Sequence, residues 1–137
     1  RVLFRSRFGG PPNYVDAAIA EGQFHNLDRE IYWIGYVKGV KTVRVGQIVQ
    51  KTGRTTNYTT GKVIAINATV NVYYGGGRWA KMVRQIVTTN MSAGGDSGSL
   101  LCDLNENAVG LLFAGSSRVT IHNDIRYVQF LLGIRVV

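Results

Sequence analysis

Apolar and polar positions alternate with period two along much of the chain after residue 30, which predicts strands. Val43 and Val45, then Val70 and Val72, mark the alternation, and Val, Ile, Thr and Tyr dominate residues 42–50, 62–73 and 80–88. Residues 31–34 form a shorter run of the same kind. Turn clusters separate them at Lys38-Gly39, at residues 52–61 and at Gly75-Gly76-Gly77. Further strands are expected at 99–102, 109–114 and 119–121. Strands at this spacing predict an antiparallel barrel or sandwich. The end changes period: Asn123-Asp124 can cap a helix whose Ile125, Val128, Leu131 and Leu132 share one face, and Gly133 stops it. The fold class is therefore mostly β, closed by a C-terminal helix. Ahead of it, residues 1–13 read as an exposed arm or linker, 14–20 as one strand or a helix start, and 21–30 as loop.

Composition narrows this picture. With 137 residues and 45% hydrophobic content, the chain can bury a core without metal or disulfide staples. Cys102 is the one cysteine, so no internal disulfide framework exists, and no spaced Cys/His cluster predicts a metal site or another cofactor. No apolar run approaches the ~18 residues of a membrane span, so no membrane partner is expected. Net charge is +8, concentrated in residues 33–100, which hold nine Lys/Arg and one acid, Asp96. Such a surface can attract nucleic acid or an acidic partner. The bases are scattered singly, however, and read as a solvated face. Tyr73-Tyr74 and Arg78-Trp79 mix rings with bases as a nucleic-acid binder would, yet a core or hairpin role is the better account of them.

Chemistry concentrates around Ser97, in Ser92-Ala93-Gly94-Gly95-Asp96-Ser97-Gly98-Ser99-Leu100. A tight turn would account for the glycines. A nucleophile would account for more: glycines let a substrate approach the backbone and aim consecutive N–H groups at one point while Ser97 presents its hydroxyl. On that reading Gly95 and Ser97 supply an oxyanion hole, and Asp96, buried behind the turn, holds the loop in shape.

The stretch from Gly95 to Leu100, the segment Val109-Gly110-Leu111-Leu112-Phe113-Ala114-Gly115-Ser116 and the closing Thr120-Ile121-His122-Asn123-Asp124-Ile125 together resemble trypsin/chymotrypsin-like serine proteases, especially disulfide-free bacterial members. Lys51-Thr52-Gly53-Arg54-Thr55-Thr56 and Gly61-Lys62-Val63 resemble a strand, loop and strand of their second barrel. The resemblance runs from about Tyr14 to the end. It implies that residues 1–30 comprise an arm, the end of a first barrel and an inter-barrel linker, and that residues 31–137 form the second barrel and its helix. It implies that Asp16, in Val15-Asp16-Ala17-Ala18-Ile19-Ala20, is the triad aspartate. It also implies a substrate pocket based near Met91 and walled by Ser92, Ala93, Gly94, Phe113, Ala114, Gly115 and Ser116. Met91 is no acid, so a small or medium apolar side chain is the expected guest.

The family's histidine precedes its aspartate, and no histidine lies among residues 1–15. His25 reads as a solvent-facing linker residue. His122 reads as a surface or helix-start residue, with pocket lining as the alternative. The expected enzyme is thus a serine endopeptidase acting on polypeptides, here without its general base, which an N-terminal segment of the same precursor supplies. The basic residues 1–7 make cleavage just before Arg1 the expected event. The competing readings are a catalytically inactive, peptide-binding module of the same fold and a basic nucleic-acid-binding barrel. Absence of disulfides is compatible with a bacterial cytosol and with secretion.

Overall fold

The structure, a computed structural model, describes residues 2–4 and 7–137. Among the described residues, ten strands and one α-helix follow in chain order: β1 (Val2–Phe4), β2 (Pro12–Asn13), β3 (Ala17–Ile19), β4 (Gly39–Val40), β5 (Ile48–Gly53), β6 (Asn57–Gly75), β7 (Arg78–Thr89), β8 (Leu100–Asp103), β9 (Asn107–Gly115), β10 (Val119–Asp124) and α1 (Ile125–Leu132). Six of them pair antiparallel in the order β10-β7-β6-β5-β8-β9, and β9 pairs back onto β10, so the sheet closes on itself. Closure removes the exposed edges that an open sheet would present. β2 and β4 add short parallel pairings on β7 and β9.

Inside the barrel, Val43, Val49, Val63, Ile86, Met91, Leu101 and Val109 form one buried cluster. A second cluster lies where α1 packs: Ile125, Val128 and Leu132 meet Val15 and Ala108, with Leu131 partly buried against them. The helix starts as its sequence requires. Asp124 accepts the Arg126 N–H at 3.0 Å and also holds the Arg126 guanidinium, while Gly133 ends the helix.

Several boundaries differ from the sequence expectation. Residues 31–34 do not form a strand. Ile31 and Gly35 bond each other across a tight turn, with Trp33 held at φ +70° and the Tyr32 carbonyl accepting the Thr52 hydroxyl. The strand expected over 42–50 starts only at Ile48, because residues 44–47 turn back on themselves through Gln47 N–H to Arg44 O. The turn expected over 52–61 shrinks to residues 54–56, since Tyr58 and Thr59 pair with Thr52 and Lys51.

The arm expected over residues 1–13 is docked rather than free. β1 pairs with β3, Gly9 N–H donates to Trp79 O, and buried Asn13 donates to Lys81 O. Phe8 meets Tyr74 edge-on at 5.3 Å and lies under Arg78, so these two residues of the β6–β7 hairpin have a packing role. The expected cleavage before Arg1 falls on residues outside those described, since Arg1, Arg5 and Ser6 are not among them.

Cys102 is fully buried on β8, and burial, reinforced by Asp103 and Glu106, pushes its thiol pKa up to about 12. A thiol needs its thiolate form to react. Iodoacetamide at pH 8 should therefore leave the folded chain unmodified and label one site in denaturant; rapid labelling of the folded chain would contradict this burial.

Candidate active site

Ser97 stands on the loop between β7 and β8, and buried contacts set that loop's shape. Asp96 is 1% exposed and its carboxylate is fully engaged. Oδ1 accepts the N–H groups of Thr55 (2.7 Å) and Thr56 (3.1 Å). Oδ2 accepts the Thr56 hydroxyl (2.6 Å) and the Ala93 N–H (3.0 Å). Lys51 Nζ lies 3.7 Å from Oδ2, and neither side chain reaches solvent. The ammonium also donates to Thr56 Oγ1 and to Asn57 O. Burial alone would raise the Asp96 pKa, but the Thr56 hydroxyl and the three N–H donors outweigh it and hold the carboxyl well below the usual range. Burial pulls Lys51 below an ordinary lysine, and Asp96 opposes that shift.

Two glycines permit this packing. A Cβ on Gly53 would sit 2.5 Å from Asp96 Oδ1, and one on Gly95 would sit 2.4 Å from Thr55 Oγ1. Gly95 also has φ +99°, a conformation L-residues rarely adopt. Around the loop, the N–H groups of Ala93, Asp96, Gly98 and Ser99 are all spent on internal acceptors. Those of Gly94, Gly95 and Ser97 have no acceptor among the described residues. The Ser97 hydroxyl is exposed and makes only a long 3.4 Å contact to Phe113 O.

Beside Ser97 opens a cleft of about 320 Å³. Ser92, Ala93 and Gly94 form one wall and Ala114, Gly115, Ser116 and Ser117 the other, with Asn90 and Leu112 completing it. Two expected lining residues lie elsewhere. The Met91 side chain is 3% exposed and belongs to the barrel core, because the chain leaving β7 turns this thioether inward against Val63 and Ile86. Phe113 turns its side chain away from the cleft, as strand alternation requires when Leu112 and Ala114 face it. The lining is rich in hydroxyls rather than predominantly apolar.

Asp16 lies on the connection between β2 and β3. Its N–H donates to Asn123 Oδ1 at 3.3 Å, and Tyr74 Oη donates to its Oδ2 at 3.1 Å. Asn123, which holds the Asp16 backbone, pairs on β10 with Leu111 of β9, and Gly98 N–H donates to Leu112 O of the same strand. Neither histidine touches Ser97. His25 is exposed in a 3-10 turn at Phe24–Asn26. His122 is fully buried rather than at the surface or in the cleft, because β10 is flanked on both sides by β7 and β9; its Nε2 meets Thr88 Oγ1 at 3.0 Å. Lys51, Thr55, Thr56 and Thr120 were not singled out as site residues. Lys51 carried a usable signal, since it shares strand parity with buried Val49.

No protein-family model matches the chain. Glutamyl endopeptidase 2 of Streptomyces griseus is 46% identical over 79 residues, covering 58% of this chain and 34% of that protein. Serine protease 1 of Streptomyces fradiae is 46% identical over 79 residues, covering 58% and 18%. Among solved structures, Cellulomonas bogoriensis chymotrypsin superposes with a TM-score of 0.66 at 26% identity, covering 74% of this chain and 55% of that one. The chain thus spans a fifth to a third of these two curated relatives and about half of the solved neighbour. It is similar to bacterial chymotrypsin-like serine proteases, and its closed sheet with a C-terminal helix is the second barrel of their two-barrel fold.

Removing one partner of a buried ion pair leaves an uncompensated charge, at a cost of about 3–5 kcal/mol. Lys51→Met should lower unfolding stability by about that amount in urea titrations, and a loss below about 1 kcal/mol would mean that the pair carries little. His122 gives a separate pH signature. Burial first, then Lys51, lowers its pKa to about 3. A folded pKa below the unfolded value of about 6.5 makes this contribution complete above pH 6.5 and progressively lost as pH falls toward 3. Stability measured across that window should decline, and His122→Phe should flatten the slope; an unchanged slope would show that other groups set it.

Proposed function

We propose that the protein is a serine endopeptidase that cleaves polypeptides through an acyl-enzyme on Ser97. The observation that carries this reading is the pair of uncommitted N–H groups at Gly95 and Ser97, beside an exposed serine hydroxyl and at the mouth of a cleft. The serine protease relatives support it. Ser97 Oγ would attack the scissile carbonyl carbon and pass its proton to a histidine base. The carbonyl oxygen, now negative, would take hydrogen bonds from Gly95 and Ser97 N–H. One such donor typically contributes about 2.7–4 kcal/mol to the transition state. Collapse would expel the amine, which takes the proton from the histidine, and water would then hydrolyse the ester by the same route reversed.

Asp16 would orient that histidine and stabilise its charged form. Neither His25 nor His122 is placed to serve as the base. The histidine would come from an N-terminal segment of the same precursor, with residues 1–30 bridging that segment to the second barrel in residues 31–137. The chain's coverage of about half of its solved neighbour is compatible with such a partner segment. The absence of a histidine contact to Ser97 equally favours a second reading, in which the fold binds peptides without cleaving them.

Fluorophosphonate labelling separates the two. The full-length product should label, Ser97→Ala should abolish labelling, and Asp16→Asn should lower kcat by about 10⁴ with little change in KM. A folded full-length product that never labels supports the non-catalytic module.

A further inference from the structure

We infer that Tyr74 is a positioning residue: its hydroxyl fixes the rotation of the Asp16 carboxylate, so that the carboxylate is aimed before a histidine meets it. The inference rests on the proposed role of Asp16. It gives a task to a side chain of the β6–β7 hairpin that lies 58 residues away in sequence.

Buried amides hold the backbone on both sides of Val15. Gln85 Nε2 donates to Tyr14 O at 2.9 Å and to Val83 O at 2.8 Å. Gln85 Oε1 accepts Asn123 Nδ2 at 2.8 Å, which turns Asn123 Oδ1 toward the Asp16 N–H. Both amides are fully buried, and Val15, between the two held residues, packs in the core under α1. A buried polar pair with its partners satisfied is rigid. The backbone of Asp16 therefore has a set position. Its carboxylate does not, because rotation about the last side-chain bond of an aspartate is broad.

Tyr74 supplies the missing restraint. Its Oη donates to Asp16 Oδ2 at 3.1 Å, a direction fixed because a carboxylate only accepts. One bonded oxygen sets the plane of the carboxylate and the direction in which the other accepts. The phenol is itself held. Tyr73 and Tyr74 face opposite sides of β6, so Tyr73 is 75% exposed while Tyr74 turns toward the arm. There Phe8 meets its ring edge-on at 5.3 Å, with the Arg78 guanidinium 5.6 Å from the Phe8 centroid. Gly9 N–H, bonded to Trp79 O, ties that arm to β7. The hairpin, and not the segment that brings the histidine, thus orients the carboxylate. Aim matters because a carboxylate turned away neither holds the imidazole in place nor stabilises its charged form.

The rate at which a fluorophosphonate labels Ser97 in the full-length protein tests this, since the probe needs no known substrate. Tyr74→Phe, checked for an unchanged urea midpoint, should label about 10- to 100-fold more slowly than wild type. Tyr73→Phe should match wild type. In Asp16→Ala, where no carboxylate remains to orient, adding Tyr74→Phe should slow labelling less than about twofold. The low-field proton NMR signal of the histidine N–H bonded to Asp16 should also move in Tyr74→Phe, which a purely structural tyrosine would not cause. A wild-type rate in Tyr74→Phe, equal slowing in both backgrounds, or an unmoved signal would overturn the inference and leave the peptidase reading intact. Unaltered full-length protein that never labels would remove the peptidase reading, and the role of Tyr74 with it.

Discussion

Asp96 and Lys51 are both shut away from water, and the Ser97 loop takes its shape from the way their charges are satisfied. A carboxylate cannot stay ionised in such a place unless donors surround it. Those donors come from two segments: Thr55 and Thr56 in the turn after β5, and Ala93 at the start of the loop itself. Meeting the electrostatic demand of one side chain therefore pins the loop to the β5–β6 turn. Once pinned, residues 93, 96, 98 and 99 spend their N–H groups internally, and those of 94, 95 and 97 stay uncommitted. Function on this account is a by-product of charge satisfaction.

Barrel closure supplies the rest of the geometry. β9 is the shared rail: Leu112 takes the Gly98 N–H, and Ala114 and Gly115 wall the cleft. Leu111 pairs with Asn123, which holds the Asp16 backbone. β9 thus carries one bond of the Ser97 loop and one wall of the cleft, and its neighbour β10 holds the Asp16 backbone. Positions set by a closed sheet move less than positions set by loops, which suits a site needing placement within fractions of an ångström.

Much of this was legible in the sequence because it rests on local patterns. The strands in 62–73, 80–88 and 109–114 follow from alternation, and the helix follows from its cap and its apolar face. The Gly-Asp-Ser-Gly string drew attention to the Ser97 loop and suggested that Asp96 would be buried behind it, as it is. Other features depend on which elements meet. Residues 31–34 have strand composition, but a turn closed by Gly35 and the Thr52 hydroxyl wins. The family resemblance implies Met91 at the base of the cleft, whereas the core takes its side chain. His122 looked like a surface residue until β7 and β9 enclosed it on either side. The hydroxyl contact between Thr120 on β10 and Ser92 on the β7–β8 loop joins segments far apart in sequence, and no local pattern reveals it.

Backbone hydrogen exchange in Lys51→Met, compared with the unaltered chain, tests the dependence of the loop on its buried pair most directly. If the pair sets the loop, the amides of Asp96, Gly98 and Ser99 should lose protection well before those of the β7–β10 ladder, which bond independently of Lys51. Loop amides that keep their protection relative to the ladder after loss of the ammonium would show that the Ser97 loop is held by something other than this ion pair.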